Sequence, residues 1–447
     1  MSPKATVLPD TDHRHVEHAQ ARTLRVLVGS QIFSGAGLAA GVTVGALLAQ
    51  DMLGSTDLAG LPSALFTAGS AVAAIVVGRV SQARGRRPGL SAGYVVGAVG
   101  GAGVVLAAVV NSPALLFLAL FLYGSGTATN LQARYAGADL AAAGHRARAV
   151  STVLVSTAVG GVVGPALATP AGSMAAAIGI PRLSGLFLLA AAAYAAAALV
   201  LALWLRPDPL LLAQALHAAA AEAGPESSRQ DDPTRRDGHP RREGVARKDE
   251  AARAPEAAGP RGGVVLGTVV QVLSQLIMVA VMTMTPVHMH DHGLGTGSFG
   301  LVIAVHIGSM YLPSPLTGHL VDRFGRLTMA AASGLTFLAA GLTAAFAPGD
   351  SVALMSVALG LLGIGWNFGL VSGTAIVTDA VPLATRARTQ GLVDVAIAIA
   401  GATGGLASGI VVATLSYPAL ALGSGVLALS VLPAVAATAH SRVQVRG

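Results

Sequence analysis

The chain contains no cysteine. Disulfides, thiolate metal sites and cysteine nucleophiles are therefore excluded. Charge is scarce as well. Only 11% of the residues are Asp, Glu, Lys or Arg, against roughly 25% in an average soluble domain. Aromatic residues make up 4%, which leaves no stacking platform for nucleic-acid bases. The formal charge of +7 does not reverse that, because the arginines sit in short connectors between apolar runs. No phosphate-cradling loop of the Walker type is present, so ATP-driven transport is unsupported. No catalytic triad, carboxylate pair or deaminase-type ligand spacing appears, and no enzyme activity is expected. No cleavable signal peptide is visible. The first apolar run is too long for one and is expected to act as the insertion signal.

What is abundant is apolar sequence. AVILMFWYC residues make up 53%, and the mean hydropathy is +0.67. These values predict an integral membrane protein whose solvent partner is the lipid bilayer. A spanning helix needs about 20 predominantly apolar residues. Six such runs precede a polar centre: Leu24–Gln50, Leu58–Val77, Gly89–Val110, Ala114–Asn130, Val150–Ala168 and Leu183–Leu205. Six follow it: Val264–Val287, Ser298–Thr317, Leu327–Ala347, Val352–Val377, Leu392–Ala413 and Leu420–Ala439. Glycine and alanine crowd these runs, and small residues let helix backbones approach closely in lipid.

The expected organisation is a polar tail (1–22), a six-helix bundle (23–206), a disordered linker (207–262), a second bundle (263–440) and a short tail (441–447). The linker is rich in Arg, Asp, Glu and Pro and cannot bury enough apolar surface to fold alone. A short surface helix is expected around Leu210–Ala221. His13, His15 and His18 in the first tail either bind a metal weakly or belong to a disordered terminus. Arginines mark alternate connectors: Arg79, Arg84, Arg86 and Arg87, then Arg146 and Arg148, then Arg323 and Arg326, then Arg386 and Arg388. The other connectors hold Asp51, Asp57, Asp291 and Asp350, with Arg182 their one cation. Both termini and the linker are thus expected on the cytoplasmic side of a bacterial inner membrane.

The halves repeat. Gly78, Gly85 and Arg86 recur as Gly318, Gly325 and Arg326, each 240 residues on. Asp139, Arg146 and Arg148 recur as Asp379, Arg386 and Arg388 at the same offset. Parallel repeats with a site between them are a transporter architecture. The connector Gly318–Arg326, with Asp322 four residues after its first glycine, resembles the signature loop of the major facilitator superfamily. That resemblance implies an all-α membrane fold of twelve transmembrane helices in two six-helix halves, working by alternating access. It also makes Asp322 and Arg326 candidates for a cytoplasmic charge latch. The first copy departs from the pattern, since Gln82 stands where the family has an acid. Gly160-Gly-Val-Val-Gly164-Pro165 looks like part of a motif of drug–proton antiporters in the superfamily. Close helix packing with a proline kink explains the same residues.

One stretch carries chemistry. Met278 and Met282 lie one helical turn apart, as do His306 and Met310, so each pair shares a helix face. These pairs resemble the MxxxM and HxxxM motifs in the seventh and eighth helices of the CcoA-like copper importers. Relatives of that subfamily carry riboflavin, so membership alone leaves the cargo open. Cysteines matter in some copper-importing members, and this chain has none. Thioether and imidazole favour Cu(I), and a neutral shell costs little to bury. Hard cations would want oxygen ligands. Methionine at helical spacing is also ordinary core filler, and a buried histidine bonded to a neighbouring helix is the competing account of His306. His288, Met289, His290 and His292 either collect an ion at the external mouth or form a polar turn after Pro286.

Few other polar groups lie within the apolar runs. Asp394, Arg134, Asp139 and Asp379 are expected to gate or couple, either as a proton-exchanging acid at Asp394 or as an ion-pair latch with Arg134, Arg386 or Arg388. Gln271, Ser274, Gln275, Trp366 and Asn367 are expected to line the cavity. The leading expectation is copper import through Met278, Met282, His306 and Met310. The alternatives are proton-coupled drug or metabolite efflux, uptake of a vitamin-like molecule, and a non-transporting membrane sensor. No cofactor and no nucleic-acid partner are expected, and a monomer is.

Overall fold

In a computed structural model the chain is described over residues 10–53, 61–226 and 260–436. The helices are α1 (Asp10–Leu53), α2 (Leu61–Arg84), α3 (Arg86–Val109), α4 (Pro113–Ala138), α5 (Arg146–Ala166), α6 (Ala168–Ala177), α7 (Gly185–Trp204) and α8 (Pro209–Glu226). They continue as α9 (Pro260–Asp291), α10 (Thr296–Tyr311), α11 (Ser314–Phe324), α12 (Arg326–Phe346), α13 (Val352–Ala380), α14 (Arg386–Thr414) and α15 (Tyr417–Ala428). No strand occurs among the described residues. Lipid offers backbone groups no partner, so a spanning segment must satisfy them within a helix.

Nine described helices are long and apolar enough to cross a bilayer, ten when α10 and α11 count as one span bent by 40°. The first and fifth apolar runs lie on α1 and on α5–α6. Proline explains both breaks. Pro313 caps α11 and Pro315 lies in its first turn, and Pro165 precedes the break at Leu167. Proline removes a donor and clashes with the preceding turn. Ser112, Ser351 and Ser416 start α4, α13 and α15, each accepting a backbone N–H at 3.2–3.4 Å.

The structure moves several expected boundaries. The expected tail 1–22 is helical from Asp10, so His15 and His18 belong to α1. The helix expected in the linker is present as α8. The rest of the expected disordered linker (227–259), residues 1–9, the expected tail 441–447 and the His13 side chain lie outside the described residues. The fourth span ends at Ala138 rather than Asn130, which puts Arg134 inside a helix. Likewise α9 runs through Pro286 to Asp291, so His288, Met289 and His290 are helical and the turn begins only at His292.

The first half packs around Tyr94, Tyr123, Phe187 and Tyr194, with ring centroids 5.3–5.8 Å apart. The second half packs around Phe337, Leu362, Trp366 and Met355. The halves meet along α2–α14 and α5–α11. Glycine permits both crossings. A Cβ on Gly78 would lie 2.9 Å from the Ala387 carbonyl oxygen and 3.1 Å from the Gly391 Cα. One on Gly318 would lie 2.8 Å from the Ala147 carbonyl oxygen. The two crossings use the repeated glycines, so the repeat is an interface repeat.

Candidate functional site between the halves

A buried ion pair joins the two halves. Arg134 on α4 donates to Asp394 on α14 at 2.8 Å. Arg134 is fully buried and Asp394 is 2% exposed. The guanidinium also donates to Gln271 of α9 (3.1 Å), Thr374 of α13 (3.0 Å), the Tyr135 hydroxyl (2.9 Å) and the Leu131 carbonyl. Thr374 donates in turn to Gln271 Oε1 at 3.2 Å. The second carboxylate oxygen of Asp394, Oδ2, is buried without a hydrogen bond. A buried pair between moving bodies is costly and belongs to pathways and couplings more than to packing. Of the expected partners of Asp394, only Arg134 pairs with it. Arg386 turns instead to Asp139 at 3.8 Å.

A ladder of charges closes the end of the bundle that carries the linker. Asp139 receives Arg86 of its own half at 2.7 Å and Arg386 of the other. Asp379 receives Arg326 of its own half at 2.5 Å and Arg146 of the other. Arg86 also reaches Gln390 at 2.5 Å, and Arg326 the Ala143 carbonyl at 2.8 Å. Arg86, Asp139 and Arg146 thus make the same contacts as their repeats Arg326, Asp379 and Arg386. Asp322 accepts the backbone N–H groups of Ala147 and Arg148 at 3.2 Å each, at the N-terminus of α5. Gln82 does the same work at the N-terminus of α14. It accepts from Ala387 N–H at 2.8 Å and donates to the Leu383 carbonyl at 3.2 Å. The amide therefore replaces the expected acid without loss of the cap, and adds a donor an acid lacks. Removing a cap costs about 1 kcal/mol. Asp322→Ala is accordingly expected to raise thiol labelling of a reporter Ala387→Cys, buried at the other crossing, by roughly fivefold.

The methionine and histidine pairs lie on α9 and α10 of the second half. Met278 and Met310 are 5% and 7% exposed in the second-half core, and Met282 packs against it half-buried. α9 and α10 touch each other little; α10 packs chiefly on α13, and α9 packs on α13 and α14 alike. The His306–Met310 turn of α10 lies on Gly363 of α13, where a Cβ would come 2.6 Å from the His306 carbonyl oxygen. α13 thus contacts both of the helices that carry the pairs. Helical spacing defines a face but not the helix that the face meets. His306 is fully buried. Its Nδ1 is 2.8 Å from the Leu359 carbonyl, and its Nε2 is buried without a partner. Asn367 donates to the Met310 carbonyl and to Ser314, both at 2.7 Å. Trp366 donates to Gln275 at 2.8 Å.

At the opposite end the expected quartet divides. Met289 is wholly buried in the core, and His290 is exposed. His288 and His292 come together, with ring centroids 4.4 Å apart. At the linker end His15, His18 and Arg22 line a cleft of about 410 Å³ with Pro207, Leu212 and Leu216. No group of three or more His, Asp or Glu gathers as a metal site among the described residues.

Sequence reading passed over a network in the first half. Gln31 Oε1 accepts from Tyr94 (2.6 Å), Ser34 (2.8 Å) and Asn130 (3.3 Å), and Asn130 reaches Ser34 at 2.7 Å and Thr157 at 3.4 Å. Its signal was present as amide and hydroxyl side chains inside apolar runs.

Comparisons with known proteins agree with this architecture. The family described as Major Facilitator Superfamily matches residues 27–254 and 265–444. The chain is 55% identical over 414 residues to the uncharacterized MFS-type transporter YdeG of Bacillus subtilis (93% of this chain, 91% of that protein). It is 29% identical over 390 residues to the riboflavin transporter RfnT of Brucella anthropi (84% and 85%). Among solved structures it resembles the human organic anion transporter MFSD10, with a TM-score of 0.70 at 14% identity (93% of this chain, 99% of that one). The proton:xylose symporter XylE gives a TM-score of 0.68 at 15% identity (93% and 94%). At such identity these two structures speak to the fold alone. Paired glycine crossings, a doubled charge ladder and these likenesses establish that the chain belongs to the major facilitator superfamily, as a multi-pass membrane transporter and not an enzyme.

Proposed function

We propose that the protein imports a small polar organic solute of vitamin-like size across a bacterial inner membrane by alternating access, coupled to protons at Asp394. The observation that carries this reading is the Arg134–Asp394 pair, buried between the halves and ringed by Gln271, Thr374 and Tyr135. A carboxylate buried without its cation is tolerable only when it takes up a proton. A proton on Asp394 therefore releases Arg134, and the halves lose their central tie. The riboflavin transporter among the relatives supports a vitamin-like cargo. The arginines of the charge ladder, by the positive-inside pattern, support a cytoplasmic linker end. The solute then enters from the opposite side while that ladder is closed. The protein works as a monomer on this reading. Gly160, the first residue of the antiporter-like motif, lies against the Ile32–Ala36 backbone, so helix packing accounts for that residue without efflux.

The test is uptake of riboflavin as probe into proteoliposomes under an imposed proton gradient. Accumulation should follow the gradient in the wild type and fall at least tenfold in Asp394→Asn. Gradient-independent uptake, or none, overturns the proposal.

A second reading is copper import, and the state of His306 favours it. Its Nδ1, bonded to the Leu359 carbonyl, leaves Nε2 as a buried neutral ligand atom, the arrangement that orients metal-binding imidazoles. Met278, Met282 and Met310 would supply the thioethers. Loss of cellular copper accumulation in a Met282→Ala/Met310→Ala double variant, at unchanged protein level, selects this reading. Unchanged accumulation removes it.

A further inference from the structure

The external end of α9 carries two imidazoles that are held in place before any ligand arrives. His288 and His292 are one helical turn apart, and α9 keeps its helical path through both Pro286 and His288. Their ring centroids are 4.4 Å apart with planes at 59°. His292 Nδ1 lies 2.8 Å from the His288 carbonyl oxygen. It donates there, so the lone pair is on Nε2. The His292 ring rests on the backbone of Gly349, where a Cβ would come 2.6 Å from Nδ1. The His288 ring stacks on Tyr417 of α15 at 4.2 Å and 13°. Tyr417 is itself fixed, its hydroxyl 2.9 Å from that of Thr285.

We propose that His288 and His292 form a two-imidazole binding site for a borderline divalent ion, Zn²⁺, Ni²⁺ or Cu²⁺. The ligand chemistry sets that class. Imidazole suits these ions, whereas Mg²⁺ and Ca²⁺ want oxygen and Cu(I) favours thioether. Both rings are already ordered, so binding forfeits little side-chain freedom. Asp291 adjoins the pair, and Asp350 follows Gly349 in the chain, so two carboxylates lie near in sequence to favour a cation. Among the described residues no third His, Asp or Glu completes a cluster, so water fills the remaining positions and the ion exchanges readily. Met289 points into the core and His290 lies about 200° around the helix from His288, so neither belongs to the site. Occupancy links the last turn of α9 to α15 through Tyr417 and to the loop before α13 through Gly349. The site is independent of what the transporter carries, because it lies outside both the Arg134–Asp394 region and the His306 turn.

The experiment is a Zn²⁺ titration of purified full-length protein by calorimetry, with thermal unfolding followed in parallel. His13, His15 and His18 are replaced by alanine in every sample, so that α1 contributes no ligand. In that background one Zn²⁺ equivalent and a rise in unfolding temperature are expected, and both should persist in His290→Ala. His288→Ala and His292→Gln should each weaken binding at least tenfold and abolish the rise. Unfolding temperatures without metal identify any variant that is simply misfolded, and Tyr417→Phe, which keeps the stack, serves as a folded control that should bind as the background does. Undiminished binding in His292→Gln, or no Zn²⁺ equivalent in the background protein, overturns the proposal.

Discussion

Replacing Arg134 by alanine is expected to abolish transport and to destabilise the protein by about 3–5 kcal/mol, the cost of stranding a buried charge. The stranded charge is Asp394, which has no second cation within the set of contacts around it. Arg134→Lys is expected to fold but to transport poorly. An ammonium cannot span Asp394, Gln271, Thr374, Tyr135 and the Leu131 carbonyl from one rigid fork. The informative variant is the double replacement Arg134→Ala/Asp394→Asn. Removing both charges together should restore most of the thermal stability while transport stays at background. Stability is read from unfolding of the detergent-purified protein and transport from proteoliposome uptake. Wild-type transport in the double variant would make the pair a structural tie and nothing more.

The positions of the spans were legible because lipid imposes them. A run without charge has nowhere else to go, and over the described residues each of the twelve runs falls mainly on helix. The ends were less legible. A polar residue in sequence looks like an exit from the membrane, yet Asn130 and Arg134 lie inside α4 because partners on α1, α9, α13 and α14 satisfy them. The repeat at 240 residues correctly marked Gly78 with Gly318 and Asp139 with Asp379, since both members of each pair make equivalent contacts. Which charge meets which could not be read. Arg386 faces Asp139 rather than Asp394, and only the crossing of α14 over α2 decides that. The same limit applies to Met278, Met282, His306 and Met310. Their spacing fixed two helix faces, but not which helix each face meets.

Substituting Gly78 by leucine should hold the linker end open and stop turnover while leaving the protein folded. Gly78 sits where α2 crosses α14, and Gly391 sits opposite. A Cβ on Gly391 would be 2.5 Å from the Ala74 carbonyl and 3.2 Å from the Gly78 Cα. No rotamer change relieves a clash with backbone, so the helices must separate. Separation pulls Gln82 from Ala387 and Leu383, and Arg86 from Gln390. Each half keeps its own core, because a side chain at Gly78 or Gly391 meets only the opposite half. The penalty therefore falls on the closed state alone. Overpacking of this kind costs about 1–3 kcal/mol, enough to lower the closed population by roughly 5- to 150-fold. The absence of cysteine makes the measurement clean. A single thiol at Ser151, fully buried beside Gly318 at the other crossing, reports opening through its rate of maleimide labelling. That rate should rise by at least fivefold in Gly78→Leu, with uptake lost. Gly78→Ala should show the same direction at smaller size, since its single methyl still meets the Ala387 carbonyl at 2.9 Å. Labelling unchanged in both variants would mean that the crossing does not control closure. Labelling raised with uptake intact would mean that closure of this end is not needed for transport.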